Sequence, residues 1–316
     1  MKEIIDFIKG HSRFAIVTHL HPDGDALGSA YALAQALNNL GSTAEVILLS
    51  PPPKKLQFRE FKSLYKLLNE VNSAAYDAVI SVDCATLARL SGAQELFRSK
   101  PNCNIDHHIT NTLFGQNNYV EEAAATGEII YSLIEQMDLP VDRTTAMAVY
   151  MAIATDSGNF TYSNTTGRTL RIFSDLVEKG LPLTDMSEKI FNCRSFGATR
   201  LIARYIENLR LYEDGKFSIS VITLADIKQA GALIEDCEVL INYGREIEGV
   251  EISAFVREMS KDTYKVSFRS NEYANVGEIA EEYGGGGHIK AAGCMLKGNI
   301  YDILEKIGKS VRDHLK

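Results

Sequence analysis

The chain alternates short apolar runs with longer stretches in which apolar residues recur at helical spacing. Residues 14–17 form an unbroken apolar run and predict a buried strand. Residues 26–40, rich in Ala and Leu, predict a helix ended by Gly41. The alternation continues, with strands predicted over 44–49, 77–82 and 103–105. Helices are predicted over 58–69, 87–97, 125–137, 143–154 and 169–179, the last ended by Gly180. Pro51, Pro52 and Pro53 predict a loop, because consecutive prolines lack the donors that either element needs. Strands separated by helices predict a mostly parallel sheet with helices on both faces.

After residue 182 the pattern changes. Two helical segments, 183–192 and 198–208, predict a helical linker over residues 183–208. Strands are then predicted over 209–213, 217–223, 250–257 and 263–269, the first two joined by the turn Glu213-Asp214-Gly215-Lys216 with Asp-Gly at its centre. A helix over 276–283, a glycine run and a helix from 301 complete the pattern. The expected fold class is α/β: a parallel-sheet domain over 1–182, the linker, and a smaller α+β domain over 209–316.

This architecture bears on chemistry, since ligands of open parallel sheets bind beyond the carboxyl ends of the strands. Five of the seven histidines fall in three motifs. The stretch His19-Leu20-His21-Pro22-Asp23-Gly24-Asp25-Ala26-Leu27-Gly28-Ser29 crowds two imidazoles and two carboxylates into one strand-to-helix turn. Pro22 and Gly24 keep the turn tight, and Gly28 is expected to let the helix pack closely on the sheet. Carboxylates this close repel, and they ionise together only beside a cation. Asp83, Asp106-His107-His108 and Asp156 also sit at element ends. Mixed imidazole and carboxylate donors suit Mn²⁺ first, with Mg²⁺, Fe²⁺ or Co²⁺ as alternatives, and the lack of thiolates disfavours a structural zinc.

The third motif is Gly284-Gly285-Gly286-Gly287-His288, with Lys290 and Ala291-Ala292-Gly293 close behind. Consecutive glycines expose backbone N–H groups and admit a ligand without Cβ interference, and a helix starting after them would add its dipole. A phosphate or nucleotide cradle is the expectation. Arg257 and Arg269 end the two preceding predicted strands and are expected to converge on the same anion.

Composition narrows the partners. A net charge of −8 argues against long nucleic acids, which are gripped by basic stripes, but leaves room for a small phosphorylated ligand. Five cysteines without Cys-x-x-Cys spacing fit buried thiols in a reducing compartment. No apolar run is long enough to span a membrane and no signal-like segment opens the chain, so a cytoplasmic protein is expected.

Taken together, these motifs resemble the DHH phosphoesterase family, and the glycine–histidine segment resembles its DHH-associated C-terminal domain. The matching residues keep the family's order over nearly the whole chain. Length and two-domain plan resemble the NrnA type, the bifunctional oligoribonucleases (nanoRNases) that also dephosphorylate 3′-phosphoadenosine 5′-phosphate (pAp). The resemblance implies a hydrolase with two divalent cations that degrades very short RNA to mononucleotides and converts pAp to AMP. It implies one cation on His19, Asp23 and Asp83, and another on Asp25, Asp83, His107 and Asp156. His108 would lie near the scissile phosphate, oriented by Asp106. Arg257, Arg269, Gly285, Gly286, Gly287 and His288 would bind substrate from the second domain, closing over the first. His21 falls at a variable place in the motif and receives no role. The nearest rival is a phosphodiesterase for linear pApA or other breakdown products of cyclic dinucleotides. A non-catalytic nucleotide-binding protein is a further alternative, disfavoured because no ligand position is missing. A homodimer paired through a helix-rich surface of the first domain is also an expectation.

Overall fold

The computed structural model describes residues 1–315 and divides into two compact units, residues 1–193 and the part from Arg194 onward. The first unit is built on six strands: β1 (Arg13–Val17), β2 (Thr43–Leu48), β3 (Tyr65–Leu67), β4 (Ala78–Val82), β5 (Asn102–Asp106) and β6 (Asn117–Val120). They form one sheet in the order β3-β2-β1-β4-β5-β6, and every neighbouring pair is parallel. The apolar runs stack in register, with Phe14 opposite Ala44 on one side and Ala78 on the other.

Seven helices accompany this sheet: α1 (Lys2–Lys9), α2 (Gly24–Asn39), α3 (Gln94–Arg98), α4 (Thr126–Gln136), α5 (Arg143–Asp156), α6 (Gly167–Glu178) and α7 (Leu183–Ser187). Phe14, Ile16, Val46, Ile80 and Ile105 face a core shared with α1, α2, α4, α5 and α6. The alternate residues Ala15, Val17, Ile47 and Val79 face Leu90, Leu96 and Phe97, so α3 and the turn before it cover the other side. Both faces are covered, one by long helices and the other by short ones.

The helix expected over 58–69 does not form. Instead, 3₁₀ turns at Arg59–Phe61 and Leu68–Glu70 flank the edge strand β3. The apolar spacing serves packing there: Phe61 is buried, stacks on Tyr31 at 4.8 Å and meets Phe58 edge-on. The helix expected over 87–97 is likewise a 3₁₀ segment, Leu87–Ala93, broken at Ser91 (φ 47°) before α3 begins. Strand β6 and helix α1 are not among the expected elements, although Ile4, Ile5, Phe7 and Ile8 give α1 a helical apolar spacing. The β6 segment is polar and half-buried, and α1 has only Ile4 and Ile8 fully buried on its inner face.

The second unit holds β7 (Arg210–Tyr212), β8 (Phe217–Ile222), β9 (Ile252–Ser260), β10 (Thr263–Ser270), β11 (Gly286–His288) and β12 (Ala291–Lys297), in the order β11-β12-β10-β9-β8-β7. Its pairs are antiparallel except β8 with β9. Five helices belong to it: α8 (Phe196–Asn208), α9 (Leu224–Ala230), α10 (Leu240–Arg245), α11 (Val276–Glu281) and α12 (Ile300–His314). One sheet face packs Ile252, Val256, Val266 and Phe268 on Ile279, Ile303 and Ile307 of α11 and α12. On the other face, Ile222 and Phe255 of β8 and β9 pack with Leu201, Tyr205 and Ile227 of α8 and α9. The segment read as a linker is divided: α7 and the turn Glu188–Asn192 belong to the first unit, and α8 to the second.

Candidate metal centre

Strands β1, β4 and β5 are neighbours in the sheet, and His19, Asp83 and Asp106 lie at or just past their carboxyl ends. The parallel topology therefore brings residues that are far apart in sequence to one edge. Asp23 caps α2, with Oδ1 accepting the Ala26 N–H at 3.1 Å. Asp25 sits in the first turn of that helix and is fully buried. Its Oδ1 accepts from Ser29 Oγ at 2.9 Å and from the Gly127 N–H at 3.0 Å, while Oδ2 accepts the Thr126 N–H at 2.7 Å. The free donors at the start of α4 thus orient this carboxylate.

Asp83 occupies the centre. Its backbone is left-handed (φ 52°), a conformation that costs a non-glycine residue about 1–3 kcal/mol and persists only where surroundings enforce it. The enforcing contacts are its N–H on the Ile105 carbonyl at 3.0 Å and Thr126 Oγ1 on its Oδ1 at 3.1 Å. Asp83 Oδ2 lies 3.7 Å from His19 Nε2, and Oδ1 lies 3.7 Å from His107 Nε2 and 3.5 Å from His108 Nδ1. His107 Nε2 is also 3.8 Å from Asp25 Oδ2 and 3.4 Å from Asp156 Oδ2. Its Nδ1–H donates to the Ala123 carbonyl at 3.0 Å, which leaves the Nε2 lone pair directed at the carboxylates.

Ligand-type atoms fall into sets whose members all lie within 4.8 Å of one another: His19, Asp23 and Asp83; Asp25, His107 and Asp156; and Asp83, His107 and His108. Asp83 belongs to the first and third sets, and His107 joins the third to the second. Each residue expected from the sequence to ligate a cation is in this cluster. His21 is exposed and belongs to none of the sets.

Asp106 is wholly occupied by hydrogen bonds. Oδ1 accepts the His107 N–H at 2.9 Å and His108 Nδ1–H at 2.7 Å, while Oδ2 accepts from Asn111. Sequence reasoning did not identify Asn111, Thr126 or Asn164. Asn164 Nδ2 bridges the carbonyls of Ala124 (3.0 Å) and Asp156 (3.1 Å), tying the segment that accepts from His107 to the end of α5. Only their contacts reveal these residues, since a lone Asn or Thr carries no motif.

The electrostatics fit cation binding. Burial pushes Asp25 well above the usual carboxylate range, and the charges of Asp83 and Asp156 add to it. Burial does the same to Asp156, with Asp23 and Asp83 adding. Burial and Asp83 also raise Asp23, whose outer side is open to solvent, against His19, the Ala26 N–H and Arg89. At Asp83 burial opposes ionisation, but pairing with His19 and the charges of His108 and His107 outweigh it and hold the group low. Burial likewise works against a charged His108, yet the Asp106 hydrogen bond and the Asp83 charge raise it. Four carboxylates gathered in a low-dielectric site call for positive charge, and two divalent cations would balance them. The donors are carboxylate and imidazole, as oxygen- and nitrogen-preferring divalent ions require. Cys84 adjoins Asp83 but does not extend the donor set: burial pushes its thiol up to about 12, and Sγ–H donates to the Thr86 carbonyl.

Gly28 packs differently from expectation. Its close neighbour is α5 and not the sheet: a Cβ there would lie 2.4 Å from the Ala148 carbonyl oxygen. That approach sets α2, carrying Asp25, against α5, carrying Asp156.

In the second unit, no helix starts after the glycine run. Gly284 ends α11 with φ 70°, and β11 then pairs with β12 as an edge strand. Gly285 and Gly287 are needed for close packing, since a Cβ on Gly285 would come within 2.2 Å of the Gly293 carbonyl oxygen and one on Gly287 within 2.4 Å of the Ala291 carbonyl oxygen. One side of the β11 backbone is left without a strand partner, and Gly286 faces open space. In the ladder, His288 is opposite Ala291 and Ala291 opposite Arg269, so His288 and Arg269 share a row and a sheet face. Arg257 is opposite Lys265, four positions along β10 from Arg269, and it lies within β9 and not at its end. It donates to the Ile234 carbonyl at 3.1 Å.

Residues 13–155 match the DHH family, N-terminal domain, and residues 216–313 match the DHHA1 domain. The chain is 31% identical to the bifunctional oligoribonuclease and PAP phosphatase NrnA of Thermus thermophilus, over 95% of this chain and 89% of that one. The chain belongs to the DHH family. Another DHH-type relative is the NrnA protein of Mycoplasma pneumoniae, 28% identical over 93% of this chain and 91% of that one. In fold, the DHH chain resembles an exopolyphosphatase-related protein of Bacteroides fragilis, with a TM-score of 0.91 at 24% identity, covering 99% of this chain and 95% of that one.

Proposed function

We propose that the protein is a two-cation phosphoesterase that hydrolyses very short oligoribonucleotides to mononucleotides and removes the 3′-phosphate of pAp to give AMP. One observation carries the reading: a complete carboxylate–imidazole cluster at the sheet edge, in a chain 31% identical to a protein named for both activities.

His19, Asp23 and Asp83 hold one cation, and Asp25, His107 and Asp156, with Asp83, hold the other. Two such ions, Mn²⁺ foremost and Mg²⁺ or Co²⁺ as substitutes, supply an activated water and neutralise charge developing on the phosphoryl group. His108, held by Asp106 and favoured in its charged form, offers a hydrogen bond to a phosphoryl oxygen or a proton to the departing 3′-oxygen. Both reactions break the bond from phosphorus to the 3′-oxygen and add water across it, so one binding register serves both. In the second unit Arg269, His288 and the glycine edge strand take the nucleotide. Arg257, engaged with Ile234, serves that surface only by releasing this bond. An exonucleolytic mode suits substrates of a few nucleotides. Free cysteines, four of them buried, fit a cytoplasmic location, and no helix among the described residues is long and apolar enough to cross a membrane. Pairing of two chains remains part of the proposal.

The test is an assay with each divalent cation on pAp and on labelled RNA from two to about ten nucleotides, the range a short-substrate site implies. Hydrolysis that is strongest on the shortest RNAs and yields AMP and phosphate from pAp is expected. Release of the 5′-phosphate from pAp would overturn the shared register, and no hydrolysis with any cation would overturn the activity.

A further inference from the structure

Arg89 has no place in the metal cluster, yet it stands beside it. It lies in the 3₁₀ segment Leu87–Ala93, just before the left-handed Ser91. The segment is fixed to the metal-binding turn: the Arg89 carbonyl accepts the N–H of Leu20, the residue after His19, at 2.9 Å, and the Arg89 N–H donates to the Thr86 carbonyl at 3.1 Å. The side chain is exposed, and its guanidinium makes no ion pair among the described residues. The Leu20 hydrogen bond sets Arg89 beside the turn that carries His19 and Asp23, and its charge bears on Asp23, Cys84 and His108.

A fixed positive charge there opposes the loading of divalent cations, since like charges repel at short range. Such a group is useful only when an anion arrives between or beside the charges. The scissile phosphate is already served by the cations and His108. A guanidinium outside that shell is suited to a second phosphate, which it grips through paired N–H donors. We propose that Arg89 recognises the 5′-phosphate of the nucleotide whose 3′-phosphorus is attacked. This selects substrates carrying both groups, such as pAp and 5′-phosphorylated dinucleotides, over those lacking the 5′-phosphate. The inference rests on the phosphoesterase reading above.

Binding separates the two ideas, because it needs no turnover. Calorimetric affinities for pAp and for adenosine 3′-phosphate are measured on the full chain loaded with Ca²⁺, for the native protein, Arg89→Gln and Arg89→Lys. The native protein is expected to bind pAp about tenfold or more tighter, as loss of a charge-assisted pair implies. Arg89→Gln binds both nucleotides alike, and Arg89→Lys falls between. Equal weakening of both nucleotides, no change in either, or no preference in the native protein overturns the assignment. Hydrolysis of pAp by the native protein with Mn²⁺ is followed in parallel. Its absence counts against the activity, while the binding comparison still decides the role of Arg89.

Discussion

The two units arrange their candidate ligand-binding groups in opposite ways. In the first, the functional groups are buried and each is held by several others: Asp25 by three donors, Asp106 by three, and Asp83 by a strained backbone locked to β5. In the second, the corresponding groups lie on an edge strand and the outer rows of a sheet, with Gly286 and His288 exposed. Cations demand fixed donors at set distances, so rigidity is needed where they sit. Substrates of varying length need a surface that can be entered from solvent. Changes to the buried ligand groups of the first unit should therefore abolish chemistry, and those to the exposed groups of the second should weaken binding.

The largest effect should come from Asp83→Ala, which removes the group shared by two ligand sets. Turnover is expected to fall about 10³-fold or more, with cation content reduced in elemental analysis and the helical circular dichroism retained. Native-like turnover would break the view of Asp83 as the shared ligand. Next comes Gly28→Ala. A Cβ 2.4 Å from the Ala148 carbonyl and 2.6 Å from the Ala152 nitrogen must push α2 from α5. A loss of about 1–3 kcal/mol is expected in urea unfolding, with weakened cation binding because Asp25 and Asp156 ride on those helices.

Arg269→Ala probes the other side of the contrast. It should raise KM for pAp by about tenfold, the worth of one charge-assisted hydrogen bond, while kcat and cation content stay near native. A fall in kcat alone would show the second unit acting on chemistry and dissolve the contrast. The smallest effect belongs to Asp142, which caps α5 by accepting the Thr145 N–H at 2.8 Å and also accepts from Gln35 and Asn39. Burial opposes its ionisation, but these hydrogen bonds prevail and hold it below the usual range. Its contribution is therefore whole above the unfolded value, about 3.9, and lost as pH falls through the lower folded value. Asp142→Ala should cost about 1 kcal/mol at neutral pH, and the gap from the native protein should close in unfolding titrations carried to acid pH.

Much of this was legible in the sequence, and the failures share a cause. The strand over 14–17 announces itself by an unbroken apolar run, those over 77–82 and 103–105 by short, mostly apolar segments, and the ligand residues by their crowding at the ends of these segments. The segment over 58–69 misled because Phe58, Phe61 and Tyr65 have helical spacing but pack around Tyr31 from an irregular edge. The glycine run is followed by the edge strand of a hairpin and not by a helix, because Gly285 and Gly287 allow β11 to lie close on β12. The strand end placed at Arg257 fell three residues short of Ser260.

Local composition and period carry the chemistry available to this chain: which carboxylates and imidazoles exist, that strands and helices alternate, and that a glycine–histidine segment accompanies them. The side-by-side placement of β1, β4 and β5, through which His19, Asp83 and Asp106 meet, belongs to the folded molecule. So do the central position of Asp83, the packing of Gly28 on α5, and the hold of Asn111, Thr126 and Asn164 on the ligands and their segments. Pairing between distant strands and the close approach of helices depend on which surfaces bury each other, and no local stretch of the chain encodes that choice.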